Sequence, residues 1–144
     1  MGFRVAFWTS EQLLGRFLLG GGHLPVAQLL LDAGASVDAA AEDGFTALME
    51  ACTYGHSALV ELLLQHGACI AHAARDSTAL ILAALYGHLQ VVELLLMKGA
   101  DVRPGKFTAL HAAAGNGQAM VVRRLAMEFF PKERSELEVR FRWL

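Results

Sequence analysis

Apolar residues recur with helical spacing in two segments of the chain that share one pattern. The segments read ALVELLLQH at positions 58–66 and LQVVELLLMK at positions 89–98. Each contains a single acidic residue, Glu61 or Glu93, at the equivalent position within a run of leucine and valine. An isolated charge in such a run normally marks the solvent-facing side of an amphipathic helix. The pattern therefore predicts two similar helices that each bury a leucine-rich side.

Three short markers place these helices in a repeating unit. Three Gly-His pairs, followed by Gly117-Gln118 in the fourth place, are spaced by 33, 32 and 30 residues. Three Gly-Ala pairs are spaced by 33 and 32 residues. Thr-Ala-Leu opens successive units. The Gly-His pairs begin at Gly22, Gly55 and Gly87, the Gly-Ala pairs at Gly34, Gly67 and Gly99, and the Thr-Ala-Leu triplets at Thr46, Thr78 and Thr108. Because independent markers share one period, the chain contains an internal repeat.

The markers are residues that begin and end helices. A threonine hydroxyl accepts hydrogen bonds from the exposed N–H groups at the start of a helix, which suits the threonine of each Thr-Ala-Leu. Gly55, Gly87 and Gly117 follow about nine residues later, where a residue in the left-handed conformation ends a helix. Gly67 and Gly99 end the second helix of their units for the same reason. The predicted unit is helix, tight turn, helix and loop, and such units bury their leucines only when they are stacked.

This pattern closely resembles the ankyrin repeat, a 33-residue unit whose first helix opens with T-P-L-H-x-A. The fourth unit comes nearest at its start with TALHAAAGNGQ, and the second and third units keep G-H-x-x-V/L-V-E-L-L-L-x-x-G-A. The resemblance implies an all-α ankyrin-repeat solenoid of stacked helix-turn-helix units with short hairpin or loop fingers. We place a degenerate N-terminal segment at 1–22, the repeats at 23–128 and a charged C-terminal tail at 129–144. The units within the repeats are 23–42 (partial), 43–75, 76–105 and 106–128 (partial).

Departures from the family pattern change what we expect of individual units. Alanine replaces the family's proline in every Thr-Ala-Leu, which costs little because proline is favoured but not required there. The interval from Gly-Ala to the next threonine shortens from 12 to 11 to 9 residues, so we expect an irregular third finger. Gly15 and Gly20–Gly22 make the residues before His23 a poor first helix. Neither end has a clear polar cap, so a segment of a longer ankyrin array is an alternative interpretation.

Composition and charge narrow the class of protein. Hydrophobic residues make up 55% and charged residues 18% of the chain, which argues against disorder. Residues 1–102 hold ten acids and four Lys/Arg, a net charge of −6, whereas residues 103–144 hold eight bases and four acids, a net charge of +4. Two cysteines are too few for a disulfide framework, so we expect a cytoplasmic or nuclear location. A pI near 6.3 does not favour nucleic-acid binding, and charges interrupt the apolar N-terminal runs, so we expect no membrane span.

No group of residues has the pattern of a catalytic, metal or phosphate site. His23, His56 and His88 hold equivalent turn positions about 10 Å apart, too far to share a metal ion, so we expect them to make hydrogen bonds between units. Cys52 stands where a later unit has Ala84, and we expect it to be a buried thiol. The glycine run GGGH lacks the spacing of a phosphate-binding loop. We therefore expect no enzyme activity, cofactor, metal or small-molecule substrate.

Three other features carry weaker expectations. His111 matches the histidine of the family's T-P-L-H, and the resemblance implies a structural bond between this side chain and the hairpin backbone. Glu50 stands where later units have Leu82 and Ala112, and we expect it near the groove of the solenoid. The Glu and Arg residues of the C-terminal tail fall at helical spacing, which predicts a solvated helix with ion pairs of its own.

In a repeat protein the binding residues are those that vary while the frame stays constant. By resemblance to the family, the concave groove is lined by the residue before each threonine, the pair before each turn glycine, and residues of the fingers. The candidate binding residues are Glu42, Asp43, Phe45, Thr53, Tyr54, Arg75, Ser77, Leu85, Tyr86, Phe107 and Asn116. Tyr54 and Tyr86 are the expected anchors, since tyrosine is enriched at binding hot spots. Phe45 and Phe107 have the alternative role of covering the junction between finger and helix.

These observations predict a non-enzymatic protein–protein interaction module, an adaptor or scaffold, that binds its partner through the groove and the finger tips. The acidic finger surface favours a protein partner with a basic segment. The alternative is a structural segment of a longer array, whose surfaces only pack against neighbouring units and have no partner of their own.

Overall fold

The structure, a computed structural model, describes residues 23–103 and 108–142. This part of the chain forms eight α-helices, one two-stranded hairpin and one short 3-10 helix, Pro131–Glu133. The helices are α1 (Leu24–Asp32), α2 (Ala47–Tyr54), α3 (Ser57–Gln65), α4 (Ala79–Tyr86), α5 (Leu89–Met97), α6 (Ala109–Gly115), α7 (Ala119–Phe129) and α8 (Arg134–Phe141), and the strands are β1 (Ala73–Ala74) and β2 (Ser77–Thr78). The poor first helix expected before His23 and the candidate residue Phe107 lie outside the described residues.

Threonine and glycine set the boundaries of the first helix in each unit. The hydroxyl of Thr46 accepts a hydrogen bond at 3.4 Å from the backbone N–H three residues later, and Thr78 and Thr108 repeat this contact at the same distance. Gly55 and Gly87 end α2 and α4 in the left-handed conformation, with φ of 74° and 78°. A residue with a Cβ atom is strained in that conformation, which explains why glycine recurs there. The roles predicted for both markers are confirmed.

Two layers of helices stack along the chain. The first helices of the units, α2, α4 and α6, pack against one another as an inner layer, and the second helices, α1, α3, α5 and α7, form an outer layer. Small residues let the inner helices approach closely: Ala51–Cys52, Ala83–Ala84 and Ala113 are buried, whereas Ala114, at the position of Cys52 and Ala84, is exposed. The leucine-rich sides of the outer helices fill the space between the layers, and Glu61 and Glu93 face solvent. The predicted all-α solenoid of stacked helix-turn-helix units is confirmed.

The second finger (residues 69–77) ends in a hairpin with a two-residue tip. β1 pairs with β2 in antiparallel register, with Ala73 opposite Thr78. The tip residues Arg75 and Asp76 have positive φ angles of 50° and 61°. This conformation matches the twist of paired strands, but glycine or asparagine adopts it more readily than other residues. The first finger (residues 36–45) has glycine at the position of Asp76, namely Gly44 with φ of 85°.

Two hydrogen bonds join the first finger to the second. The Asp38 carboxylate accepts a hydrogen bond from the backbone N–H of Cys69 at 2.8 Å, and His72 Nε2 donates to the carbonyl of Gly44 at 3.0 Å. Both bonds connect a residue of the first finger to a residue of the second, so they fix the two fingers relative to each other. Residues 104–107 of the third finger (101–107) lie outside the described residues, and its expected irregularity stays a prediction.

The charged tail contains helix α8, as its spacing predicts. Arg134 and Glu138 lie one helical turn apart and form an ion pair at 3.6 Å. None of the residues of α8 is buried, and the helix packs on α7 with the Arg123 guanidinium 5.8 Å from the ring centroid of Phe141. Among the residues that the structure describes, no helix has both the length and the apolar character needed to cross a membrane.

Candidate protein-binding groove

Tyr54 and Tyr86 present two aromatic surfaces in a row. They are the last residues of α2 and α4 and hold equivalent positions in successive units, where they are 50% and 52% exposed. Each ring stacks on the histidine of its own turn, with centroid distances of 6.2 Å for Tyr54 and His56 and 6.5 Å for Tyr86 and His88. These contacts hold both tyrosines in one orientation while leaving half of their surface open. The structure therefore places the two expected anchors at the same position of neighbouring inner helices.

Glu50 adds an acidic group to the same side of α2. It lies four residues before Tyr54, which places the two side chains one above the other on the helix. The equivalent positions in α4 and α6 are Leu82 and Ala112, and both are buried. Partial burial, together with the charge of Asp43 in the first finger, raises the pKa of the Glu50 carboxyl above 4.5. Removal from water and a nearby like charge both disfavour the carboxylate relative to the neutral acid.

The finger residues border this acidic spot. Glu42, Asp43 and Arg75 are exposed, and Ser77 is half-buried. The Asp43 carboxylate accepts a hydrogen bond from the backbone N–H of Phe45 at 3.1 Å, which orders the tip of the first finger. Phe45 itself is half-buried and packs against the core beneath the finger. The structure thus gives Phe45 the covering role that was its alternative assignment.

Three other predicted groove residues are engaged by the fold. The Thr53 hydroxyl donates to the carbonyl of Met49, and the Asn116 amide donates to the carbonyl of Ala112, each at 3.0 Å. Leu85 is half-buried and packs against the core. Thr53 was expected to be open to a partner, but its hydroxyl bonds to its own helix. Among the candidate groove residues, the tyrosines, the finger acids and Asn116 are exposed, whereas Thr53 and Leu85 are half-buried.

The turn histidines connect units. His88 Nε2 donates to the carbonyl of Thr53 in the preceding unit at 2.9 Å, and its ring covers Gly55. The predicted bond between units is therefore confirmed for His88. His56 Nε2 is buried as well, but the described residues offer it no hydrogen-bond partner. Within 23–103 and 108–142, no group of three or more His, Cys, Asp or Glu residues is arranged to hold a metal ion.

The two cysteines have different environments. Cys52 is fully buried in the inner layer, and burial strongly raises the pKa of its thiol. A thiol that stays protonated at neutral pH is a poor nucleophile, so Cys52 has the packing role that its position predicts. Cys69 is exposed. His111 Nδ1 lies 2.7 Å from the hydroxyl of Thr108, while residues 104–107, which precede that threonine in the third finger, lie outside the described residues.

The stacked units, their threonine and glycine boundaries and the fingers define the class of protein as an ankyrin solenoid. A family model described as "Ankyrin repeats (3 copies)" matches residues 17–74 and 70–135. The chain therefore belongs to the ankyrin-repeat family. The matched residues extend beyond the predicted repeat boundaries, 23 and 128, at both ends.

Two plant proteins are similar to the chain over most of its length. The E3 ubiquitin-protein ligase XBAT33 of Arabidopsis thaliana is 33% identical over 118 residues, which cover 82% of this chain and 18% of that protein. The probable E3 ubiquitin-protein ligase XBOS33 of Oryza sativa subsp. japonica is 42% identical over 115 residues, or 80% of this chain and 17% of that protein. The chain thus spans less than a fifth of either relative. Ankyrin repeats are protein-interaction units and are generally not catalytic. The matches to these two proteins therefore do not show ligase activity in this chain.

Proposed function

We propose that this chain is a non-enzymatic recognition module, of the adaptor or scaffold kind, that binds a protein partner through its concave groove and finger tips. The observation that carries the proposal is the pair Tyr54 and Tyr86, each half exposed at equivalent positions of a repeated frame. Aromatic side chains that are already held in place supply a large contact area, and they dominate many binding hot spots. The tyrosine pair acts as the anchor, and the polar residues around it select the partner.

A partner with a basic segment suits the charge of the groove. Glu42, Asp43 and Glu50 take part in no ion pair within the described part of the chain. A lysine or arginine side chain placed between Asp43 and Glu50 would reduce their repulsion and lower the pKa of Glu50 on binding. Complementary charge of this kind mainly selects the partner and speeds the encounter.

The proposed module works without a cofactor, nucleic acid, membrane or small-molecule substrate. A cytoplasmic or nuclear location is supported by the two cysteines, Cys52 and Cys69, which are both unpaired thiols. The ligase names of the plant relatives describe proteins more than five times the length of the matched segment. The proposal for this chain is therefore limited to recognition.

A second candidate function is purely structural. Val26 and Leu29 of α1 are exposed, although the corresponding positions of α3 and α5 are covered by a neighbouring unit. This exposure favours a segment of a longer array, whose surfaces pack only against further units. In that case the groove would have no partner of its own.

The test starts by selecting peptides from a random displayed library on the purified chain. Selected peptides are then titrated against variants by fluorescence anisotropy. We expect Tyr54→Ala combined with Tyr86→Ala to weaken binding by more than about 2 kcal/mol, roughly thirtyfold, with helicity unchanged. Glu50→Gln should weaken binding of the Lys/Arg-rich peptides. Met97→Ala is the matched control, because Met97 is a large apolar residue that is 75% exposed on the outer helix α5, and it should bind as the wild type does.

The outcomes separate the two candidate functions. Equal binding by the double tyrosine variant would remove the groove from consideration. Failure to select any peptide from a library that yields binders for a known ankyrin module would favour the structural role. If the selected peptides bind through the tyrosines but contain no basic residues, the groove remains the proposed binding site, and the basic segment proposed for the partner is wrong.

A further inference from the structure

One side of α1 exposes apolar positions that the rest of the array buries. Val26 and Leu29 are 47% and 69% exposed. The counterparts of Val26 in α3 and α5 are Leu59 and Val91, each 1% exposed. The counterpart of Leu29 is Leu62, which lines the groove between α1 and α3 and so faces the preceding unit. Val26 and Leu29, which we call the N-terminal stacking face, therefore lie on the side of α1 where a preceding unit would pack.

The turn at the opposite end of the array has a matching open position. Inside the array, a side chain of the following unit covers each turn glycine: the ring of His88 lies over Gly55, and the side chain of Gln118 lies over Gly87. At Gly117, no atom of the described residues lies within 4 Å of the place that a Cβ would take. The last turn therefore has the shape that receives a side chain elsewhere in the array.

The last inner and outer helices of the array, α6 and α7, also expose positions whose counterparts in earlier units are buried. Ala114 of α6 is exposed, whereas Cys52 and Ala84 at the equivalent positions are 0% exposed. Val122 of α7 is half-buried, whereas its counterpart Val92 is fully buried. We call Ala114, Gly117 and Val122 the C-terminal stacking face. At the positions equivalent to both faces, the side chains are covered wherever one unit follows another inside the chain.

We propose that copies of this chain associate head to tail, with the N-terminal stacking face of one copy packed on the C-terminal stacking face of the next. The contact continues the packing that already joins units within one chain. His23 is exposed, and in this arrangement it lies over Gly117 of the other copy as His88 lies over Gly55. The carbonyl of Gly115 then has the position relative to His23 that the carbonyl of Thr53 has relative to His88 inside the array.

The charge distribution favours this orientation over the alternatives. Residues 23–45, which contain α1 and the first finger, hold four acids and no Lys/Arg, a net charge of −4, whereas residues 103–144 have a net charge of +4. Head-to-tail packing brings an acidic end to a basic end, whereas head-to-head or tail-to-tail packing brings like charges together. Because the two faces differ, each bound copy still offers one open face, and the assembly grows beyond two chains as concentration rises.

The experiment measures the mass of the full chain by sedimentation and light scattering over a concentration series. We expect the weight-average mass to rise above the 15.5 kDa of one chain. Leu29→Arg places a positive charge opposite the basic end, and Ala114→Glu places a negative charge opposite the acidic end. Both positions are exposed, so the fold should persist, and circular dichroism checks it. Each variant should associate at least about tenfold more weakly.

A mixture of the two variants gives the decisive result. Leu29→Arg keeps an intact C-terminal face and Ala114→Glu keeps an intact N-terminal face, so an equimolar mixture should form two-chain complexes that grow no further. Met97→Glu is the control on the outer layer and should associate as the wild type does. The proposal is overturned if the wild type stays monomeric, if either blocked variant still associates alone, or if Met97→Glu abolishes association.

Discussion

The turn histidines His56 and His88 offer a matched measurement of what a hydrogen bond between units contributes. Both precede the second helix of a unit, and both stack on a tyrosine two residues earlier, at centroid distances of 6.2 Å and 6.5 Å. His88 Nε2 donates to the carbonyl of Thr53 at 2.9 Å, whereas His56 Nε2 is buried without a partner among the described residues. Leucine is similar in volume to histidine and has no polar side-chain atom, so His→Leu at each site compares the two environments.

The expected magnitudes follow from these contacts. His88→Leu removes a hydrogen bond with a net value of about 1 kcal/mol and leaves the Thr53 carbonyl without its donor, which costs about 1 kcal/mol more. We therefore expect His88→Leu to lower the free energy of unfolding by about 2 kcal/mol. His56→Leu removes a buried polar atom that has no partner among the residues that the structure describes, so the change should stay within about 0.5 kcal/mol of zero.

Equilibrium urea denaturation followed by far-ultraviolet circular dichroism measures both values. The midpoint and slope of each transition give the free energy of unfolding in water by linear extrapolation. The difference between the two variants should be about 2 kcal/mol. Equal losses would refute the reasoning, because they would mean that the packing of the rings, rather than the bond to Thr53, stabilises the turns.

Three further predictions concern the second finger, the groove acid and the cysteines. Asp76→Gly should raise the free energy of unfolding by about 0.5–1 kcal/mol, because glycine relieves the left-handed strain at φ of 61°, and a loss in urea denaturation would contradict this. The raised pKa of Glu50 means that its contribution to stability is full below pH 4.5 and is lost as the pH rises through the folded-state pKa. Glu50→Gln should therefore gain stability relative to the wild type as the pH rises through the folded-state pKa of Glu50, and a difference that does not vary with pH would count against the burial of this acid. Cys69 should react with a disulfide reagent in the native protein, and Cys52 should react only after unfolding. Rapid reaction of both thiols in the native protein, followed by absorbance, would disprove the burial of Cys52.

Local contacts explain why the repeated unit could be predicted from the sequence. The threonine hydroxyls bond to an N–H three residues later, and glycine is needed wherever the chain turns with positive φ at Gly55 and Gly87. Such interactions depend on neighbouring residues and leave a direct mark in the sequence. The same holds for the ion pair of Arg134 and Glu138, whose four-residue spacing predicts the helix of the tail.

The details of the groove depend on contacts between distant residues. The bond from His88 to Thr53 spans 35 residues and the bond from His72 to Gly44 spans 28, so no local pattern reveals either. Asp76 adopts a left-handed conformation because the hairpin register requires it, although the sequence there contains no glycine. Variation between units predicted Thr53 as a binding residue, but variation alone does not show that its hydroxyl bonds to its own helix.

The paired hydrogen bonds between the first two fingers bear on the kinetics of recognition. Asp38 and His72 lock the fingers to each other before any partner arrives, at 2.8 Å and 3.0 Å. A partner that meets a fixed surface needs no rearrangement step after encounter, so its association rate should follow diffusion and charge, and its affinity should be set by how slowly it leaves. Asp38 and His72 would then lengthen the lifetime of the complex through the rigidity that they give to the fingers.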